Sequence, residues 1–257
     1  MTSAIDSTTS FARARPAFSA IMFDIDDTLF AHHSSVLAGL TSFRARLGPP
    51  FDEGDDRATA ELWERLADKH YRRYLSGELT HIEQRRARAR DFVAQFGQHL
   101  DDAAADAWYD VYLAEYTKAW MLHGDTLACL NALASTGIRL GIIANGDLAF
   151  QNDKLARLGL DPLFEHVVTS GELGYAKPDA RIFEHACQQF GVEPVQAAYV
   201  GHRLRTDAIG ASGAGLTGVW LDRAGVATVT DIMAARATGV PIIRTLSELP
   251  EALGVRV

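Results

Sequence analysis

The sequence predicts an α/β protein, a Rossmann-like parallel sheet with helices on both faces, carrying one inserted all-helical unit. Three observations predict it. Short apolar runs of strand length recur at residues 20–25, 138–144, 166–169, 197–200, 218–221 and 240–243. From residue 125 onward, amphipathic stretches separate these runs, so strand and helix alternate. Between the first and second runs, residues 30–123 break that alternation with long helical stretches and no convincing strand.

The elements follow in order. Residues 1–19 are polar, hold Arg13, Arg15 and Pro16, and read as a loose tail. Residues 20–25 (AIMFDI) read as a buried strand that closes on acidic residues. In the insertion, residues 58–75 and 102–121 read as helices. Trp63, Leu66 and His70 recur at spacings of three and four, Trp108, Tyr112 and Tyr116 at four, and both stripes read as helix core. Leu127, Leu130 and Leu133 mark a helix over residues 125–135, with Gly137 as its stop. Further helices at 150–158, 179–190 and 205–214 are closed by Gly159, Gly191 and Gly215. The expected division is a tail at 1–19, an α/β core at 20–29 and 124–257, and a domain-sized helical unit at 30–123.

Composition narrows the function classes. A chain of 257 residues holds one large domain or two unequal ones. At 47% hydrophobic and 23% charged it is neither mostly disordered nor low-complexity. Its net charge of −8 argues against general binding to nucleic acid or an anionic membrane. Cys129 and Cys187 are too few for a disulfide framework or a cysteine zinc cluster, and read as small buried apolar residues. No apolar run approaches the ~20 residues that span a bilayer. With no secretory h-region at the start, a soluble cytoplasmic protein is expected. The one basic cluster, residues 84–90 (QRRARAR), reads as a solvated face paired with Glu78, Glu83 and Asp91. One of its arginines could still reach an anionic substrate from above.

The chemistry gathers after the first strand, at Asp24-Ile25-Asp26-Asp27-Thr28-Leu29. Ligands of open α/β sheets bind beyond the carboxyl ends of strands. Asp24 and Asp26 are two apart, and a bend after Asp24 would bring both to the rim. Three carboxylates beside an apolar run call for a cation, and a divalent, oxygen-loving metal such as Mg²⁺ suits them.

Asp-Ile-Asp-Asp-Thr-Leu resembles motif I of the haloacid dehalogenase-like (HAD) hydrolases, D-x-D-x-[TV]. The other motifs follow in the family's order. Asn145-Gly146-Asp147 resembles motif II. The stretch from Gly174 through Lys177-Pro178-Asp179 resembles motif III. Gly201-His202-Arg203-Leu204-Arg205-Thr206-Asp207 resembles motif IV. The resemblance, to the phosphatase branch with a C1 helical cap, implies roles for these residues. Asp24 would be the nucleophile that forms an aspartyl-phosphate, and Asp26 the general acid/base. Lys177 would hold the nucleophile and a phosphoryl oxygen, with Asn145 and Gly146 on the substrate. Mg²⁺, or Mn²⁺ or another divalent cation, would sit on Asp24, Asp26 (through its carbonyl) and the motif IV positions His202 and Asp207. The insertion would be the cap, hinged near residues 30–34 and 122–125. The implied partner is a small phosphorylated metabolite, with no nucleic acid and no membrane, for a monomer or homodimer.

Two positions depart from the family pattern. Motif II usually has Ser or Thr where this chain has Ala144; loss of one such donor costs roughly 2.7–4 kcal/mol in a well-studied case. Motif IV usually reads Gly-Asp, and here reads Gly201-His202. They motivate a second reading, a catalytically impaired phospho-ligand-binding or regulatory protein. A 2-haloacid dehalogenase is disfavoured by Asp26, and a phosphomutase would use the same aspartyl-phosphate.

Overall fold

The computed structural model describes residues 18–257; up to residue 17, the expected tail lies outside the described residues. Strands β1 (Ala20–Phe23), β2 (Arg139–Ala144), β3 (His166–Thr169), β4 (Ala197–Gly201), β5 (Thr217–Leu221) and β6 (Ile242–Ile243) form one sheet. All pairings are parallel and the order is β3-β2-β1-β4-β5-β6. β1 is therefore central, with Phe23 opposite Ile142 on one side and Val200 on the other. Each apolar run of the sequence is a strand: three runs lose one or two residues at one end, two gain one residue, and 166–169 is unchanged.

The period of two along β1 divides the core. Ile21 and Phe23 face one layer, with Leu130, Leu133, Leu155 and Leu249; Ala20 and Met22 face the other, with Ile182, Phe183 and Phe190. The helices that supply these side chains are α5 (Thr126–Ser135), α6 (Leu148–Arg157), α8 (Ala180–Phe190) and α11 (Leu249–Ala252). Short helix α7 (Ser170–Leu173) precedes α8, while α9 (Gly210–Gly213) and α10 (Val229–Ala237) flank β5. Cys129 and Cys187 are buried as free thiols.

Between β1 and β2 stand α1 (His32–Leu47), α2 (Asp56–Leu75), α3 (His81–Ala94) and α4 (Asp102–Lys118). Asp55, Thr80 and Asp101 cap α2, α3 and α4 by accepting from backbone N–H groups three residues on. The aromatic stripes form the interior of this insertion. Trp63 meets Tyr112 at 4.5 Å and Phe92 at 5.3 Å, and Phe43 meets Trp108 edge-on at 4.6 Å. The expected helix to residue 121 stops at Lys118 because the chain turns back to the sheet there. Ala31 N–H donates to Met121 O, and His123 N–H to Leu29 O, so the entering and leaving connectors run side by side.

The basic cluster differs from its expected pairing. Arg86 binds Asp102 and Asp106, and Arg90 binds Asp102, all on α4; Glu78 goes to Arg73, and Asp91 to Lys69 and His70. Helix spacing alone favoured near neighbours, whereas packing of α3 on α4 supplied better-placed carboxylates. The helix expected over 205–214 is instead a wide π turn (Leu204–Ile209) followed by α9. The wider turn carries Asp207 inward, where its Oδ2 accepts from Arg203 N–H at 2.9 Å. No described helix is long and apolar enough to cross a membrane.

One ion pair ties the elements together. Arg223 donates to both oxygens of Asp125 at 2.8 and 2.9 Å and to Thr28 O at 2.8 Å, while Asp125 accepts from Leu246 N–H. Burial would raise the Asp125 pKa, but Arg223 and the Leu246 N–H overcome it and hold the carboxyl below its ordinary 3.8. A depressed carboxyl contributes its full stability above the unfolded pKa and loses it as pH falls below that value. Asp125→Asn is expected to lower the unfolding free energy by about 1.5–3 kcal/mol at neutral pH. The two proteins' urea-unfolding curves should converge as pH falls through 3.8. A gap that stays constant into acid would contradict this.

Candidate active site

The site lies at the carboxyl end of the central strand. Asp24 follows β1 directly, and its N–H still donates to Val200 O at 2.9 Å. The chain then turns. Asp27 adopts φ 51°, a left-handed conformation that Asp tolerates, and accepts from His33 N–H at 2.9 Å. The expected bend after Asp24 is thus present, and it places Asp26 beside the site on a different partner from Asp24.

Asp24 is buried and held from three sides. Lys177 Nζ donates to Oδ1 at 2.8 Å; Thr28 Oγ1 donates to Oδ2 at 3.1 Å; His202 Nδ1 lies 3.1 Å from Oδ2. Burial works to raise this carboxyl's pKa, but the Lys177 and His202 contacts win and hold it far below the carboxylate range. Lys177 is itself buried, and it is shared. Its ammonium donates to Tyr199 Oη at 2.6 Å and lies 2.9 Å from Asp207 Oδ1; Tyr199 Oη donates onward to Ile143 O at 2.7 Å. Burial would strip the proton from Lys177, but Asp207 and Asp24 raise its pKa above the ordinary lysine value.

Asn145 positions Lys177 through the backbone. Its Oδ1 accepts from Lys177 N–H at 2.8 Å and its Nδ2 donates to Lys177 O at 3.1 Å. The Gly146 N–H is committed to Ser170 Oγ at 2.9 Å, so Gly146 offers a close backbone approach and not the free donor a substrate-binding position would use. Gly201 has a steric reason. A Cβ there would lie 2.5 Å from the Asp207 carboxylate, so only glycine lets Asp207 close on the sheet.

Asp26 turns away from Asp24. Its Oδ1 accepts from Lys154 Nζ and lies 4.0 Å from His32 Nδ1, with 36% of the side chain still open to solvent. Burial would raise its pKa, but Lys154 and His32 bring it below the ordinary aspartate value. Lys154 is 1% exposed and caged by Phe30, Phe150 and Trp120, at 4.7, 5.3 and 5.7 Å from the ring centroids. Sequence reasoning missed Lys154, His32 and Tyr199, and placed Thr28 in the motif without giving it a role. A signal for Lys154 existed: Asp147, Gln151 and Lys154 share one face of α6 by their spacing of four and three. From the insertion, His32 binds Tyr116 Oη at 2.7 Å. The Tyr71 hydroxyl lies 3.8 Å from where a Gly146 Cβ would sit.

Asp24, His202 and Asp207 each offer a ligand atom within 4.8 Å of the others. The expected ligand Asp26 is outside this group by its side chain, leaving only its carbonyl. Asp207 Oδ1 is buried with no donor aligned for a hydrogen bond, Lys177 reaching it as a charge contact. Two buried carboxylate oxygens fit a divalent cation, with an imidazole where a third carboxylate would be harder chemistry. Now Nδ1 faces Asp24 and Nε2 faces Arg203 Nε at 3.3 Å, so His202 must release Asp24 before it can ligate.

Known proteins resemble this chain in sequence and in fold. A haloacid dehalogenase-like hydrolase family model matches residues 18–215, and the chain belongs to that family. A glyceraldehyde 3-phosphate phosphatase of Methanopyrus kandleri is 34% identical over 207 residues, 79% of this chain and 84% of the relative. Another of the same name, from Methanothermobacter thermautotrophicus, is 36% identical over 129 residues, but the match spans only 50% of this chain and 57% of that relative. The magnesium-bound HAD-hydrolase YfnB of Bacillus subtilis superposes with a TM-score of 0.74 over 93% of this chain and 99% of that one, at 21% identity, which shows the fold.

Gly201→Ala is expected to destabilise the protein by about 1–3 kcal/mol, because the methyl group displaces Asp207. Gly213→Ala, where a Cβ meets nothing within 4 Å, should change stability by less than about 1 kcal/mol. Urea midpoints at equal slope check this, and equal midpoints for both variants would contradict it.

Proposed function

We propose that this chain hydrolyses a small phosphomonoester through an aspartyl-phosphate on Asp24. The observation that carries the proposal is the division of labour between two carboxylates. Asp24 is ionised, buried and aimed by Lys177, while Asp26 stands two residues on with a separate lysine. The phosphatase names of the family relatives support the same reaction class.

In the first step an Asp24 oxygen attacks phosphorus and the ester oxygen leaves with the bonding pair. Asp26 delivers the proton to that oxygen. Although Lys154 keeps Asp26 ionised at rest, an arriving phosphate dianion raises its proton affinity. In the second step Asp26 takes a proton from water, the water oxygen attacks phosphorus, and phosphate departs from Asp24. Lys177 offsets charge on the phosphoryl oxygens throughout. Asn145 acts by fixing Lys177. A divalent cation, held by Asp24, the Asp26 carbonyl, Asp207 and an unprotonated His202, supplies further neutralisation of phosphoryl charge when bound. The imidazole makes Mn²⁺ a better match than Mg²⁺. Residues 30–123 serve as the cap that closes over the core of residues 20–29 and 124–257. His32 and Tyr71 bring cap side chains to the site.

Turnover of a phosphomonoester panel tests the reaction. Asp24→Asn should abolish it. Lys154→Met should lower kcat by about tenfold or more with KM little changed, because Asp26 loses its orientation. Full activity in Asp24→Asn would overturn the mechanism.

The metal assignment has its own test. The wild type should turn over faster with Mn²⁺ than with Mg²⁺, and His202→Asp should reverse that order. If Mg²⁺ leads in both proteins, His202 is not a ligand. No turnover with any divalent ion, together with tight phosphate binding, would select the ligand-binding alternative that Ala144 and His202 motivate.

A further inference from the structure

The arginine run of α3 divides into two faces, and only one is neutralised within the chain. Arg86 and Arg90 point to α4 and are paired with Asp102 and Asp106. Arg85 and Arg88 are three apart, on the other face. Among the described residues, no carboxylate lies within 4.0 Å of either guanidinium. Both rest on aromatic rings instead. Arg88 lies 3.7 Å from the Trp63 centroid and 5.8 Å from that of Tyr112; Arg85 lies 5.2 Å from Tyr109 and 5.9 Å from Phe150. Arg88 Nε is buried with no hydrogen-bond partner.

These rings lead to the site. Phe150 also carries Lys154 Nζ, 5.3 Å from its centroid, and Lys154 holds Asp26. Tyr112 stacks on Tyr116 at 5.9 Å, and Tyr116 Oη binds His32, which faces Asp26. Arg85 and Lys154 thus share the Phe150 ring, and Arg88 joins through Tyr112 and Tyr116 to His32, so one continuous aromatic wall runs from the two arginines to the residues that face Asp26. A partly buried guanidinium without a counter-ion is unfavourable, and its planar fork matches a carboxylate or phosphate bidentately. The phosphoryl group to be cleaved already has Lys177 at Asp24. The wall therefore has a place for a different anion.

We propose that the substrate is a phosphomonoester with a second anionic group, a carboxylate or second phosphate, at the far end of its carbon skeleton, held by Arg85 and Arg88. This rests on the phosphomonoester reading above, and deepens it by naming the substrate class.

Matched pairs of compounds with and without the second anion test it: O-phosphoserine against O-phosphoethanolamine, and 6-phosphogluconate against glucose 6-phosphate. Equilibrium binding is measured by calorimetry on the full chain in chelator, where no turnover is needed. Turnover of the same compounds and of para-nitrophenyl phosphate is measured separately with Mn²⁺. The wild type should bind the doubly anionic member of at least one pair about tenfold or more tightly. Arg85→Met and Arg88→Met should each remove most of that ratio, and Arg85→Lys should retain part of it. Arg86→Met, whose side chain is paired elsewhere, should keep the wild-type ratio. Because each ratio is internal to one protein, a loss of folded fraction does not imitate the effect. Equal binding of both members of both pairs, or a ratio unmoved by either variant, overturns the proposal even if para-nitrophenyl phosphate is hydrolysed. A preserved binding ratio without turnover of any ester would leave this proposal standing and overturn the hydrolase reading instead.

Discussion

The site depends on one buried ammonium. Lys177 stands between the carboxylates of Asp24 and Asp207, and all three side chains are under 10% exposed. Without it, two buried carboxylates would stand this close with no cation between them. The rest of the local structure serves this contact. Tyr199 accepts the ammonium's other hydrogen bond and itself donates to the β2 backbone at Ile143 O. Asn145 grips the Lys177 backbone from the end of β2, and Gly201 clears the space through which Asp207 approaches. The ammonium that aims Asp24 thus also joins the ends of β1 and β4.

The sheet order explains how residues more than 150 positions apart in sequence meet. β1 is central, and β2 and β4 flank it, so the chain ends after Asp24, Ala144 and Gly201 fall side by side. Lys177 arrives from the loop after β3 and α7. Four separate segments then converge at the rim where parallel α/β sheets bind ligands. The second carboxylate, Asp26, is kept apart by the left-handed turn at Asp27 and by its own lysine on α6. Separate cations let two aspartates two residues apart hold different environments, which is the condition for two different tasks.

Much of this was legible in the sequence, because it rests on local signals. The apolar runs, the glycine stops and the acidic cluster after residue 23 each report on a few neighbouring residues. The strands, the helical insertion and Asp24, Asp207 and Lys177 as a group follow from them and from the family resemblance. What was not legible depends on tertiary packing. Lys154 reads as an ordinary amphipathic-helix lysine until α6 docks against Phe30 and Trp120. Tyr199 reads as a core aromatic until its hydroxyl finds Lys177. The partners of Arg86 and Arg90 come from α4, which no spacing within α3 can announce. The π turn at Leu204–Ile209 carries Asp207 inward to Lys177, a departure from the helical period that the apolar spacing does not announce.

The covalent step proposed at Asp24 is where nucleophile, lysine and geometry must act together, and it can be observed directly. The protein is mixed with a turned-over phosphomonoester, quenched in acid within the first turnovers, digested and examined by mass spectrometry. The geometry predicts one phosphoryl group on the peptide that carries Asp24, and its release by hydroxylamine as expected of an acyl-phosphate. A hydroxylamine-resistant phosphoryl group, or one carried by His202 while Asp24 stays unmodified, would contradict it.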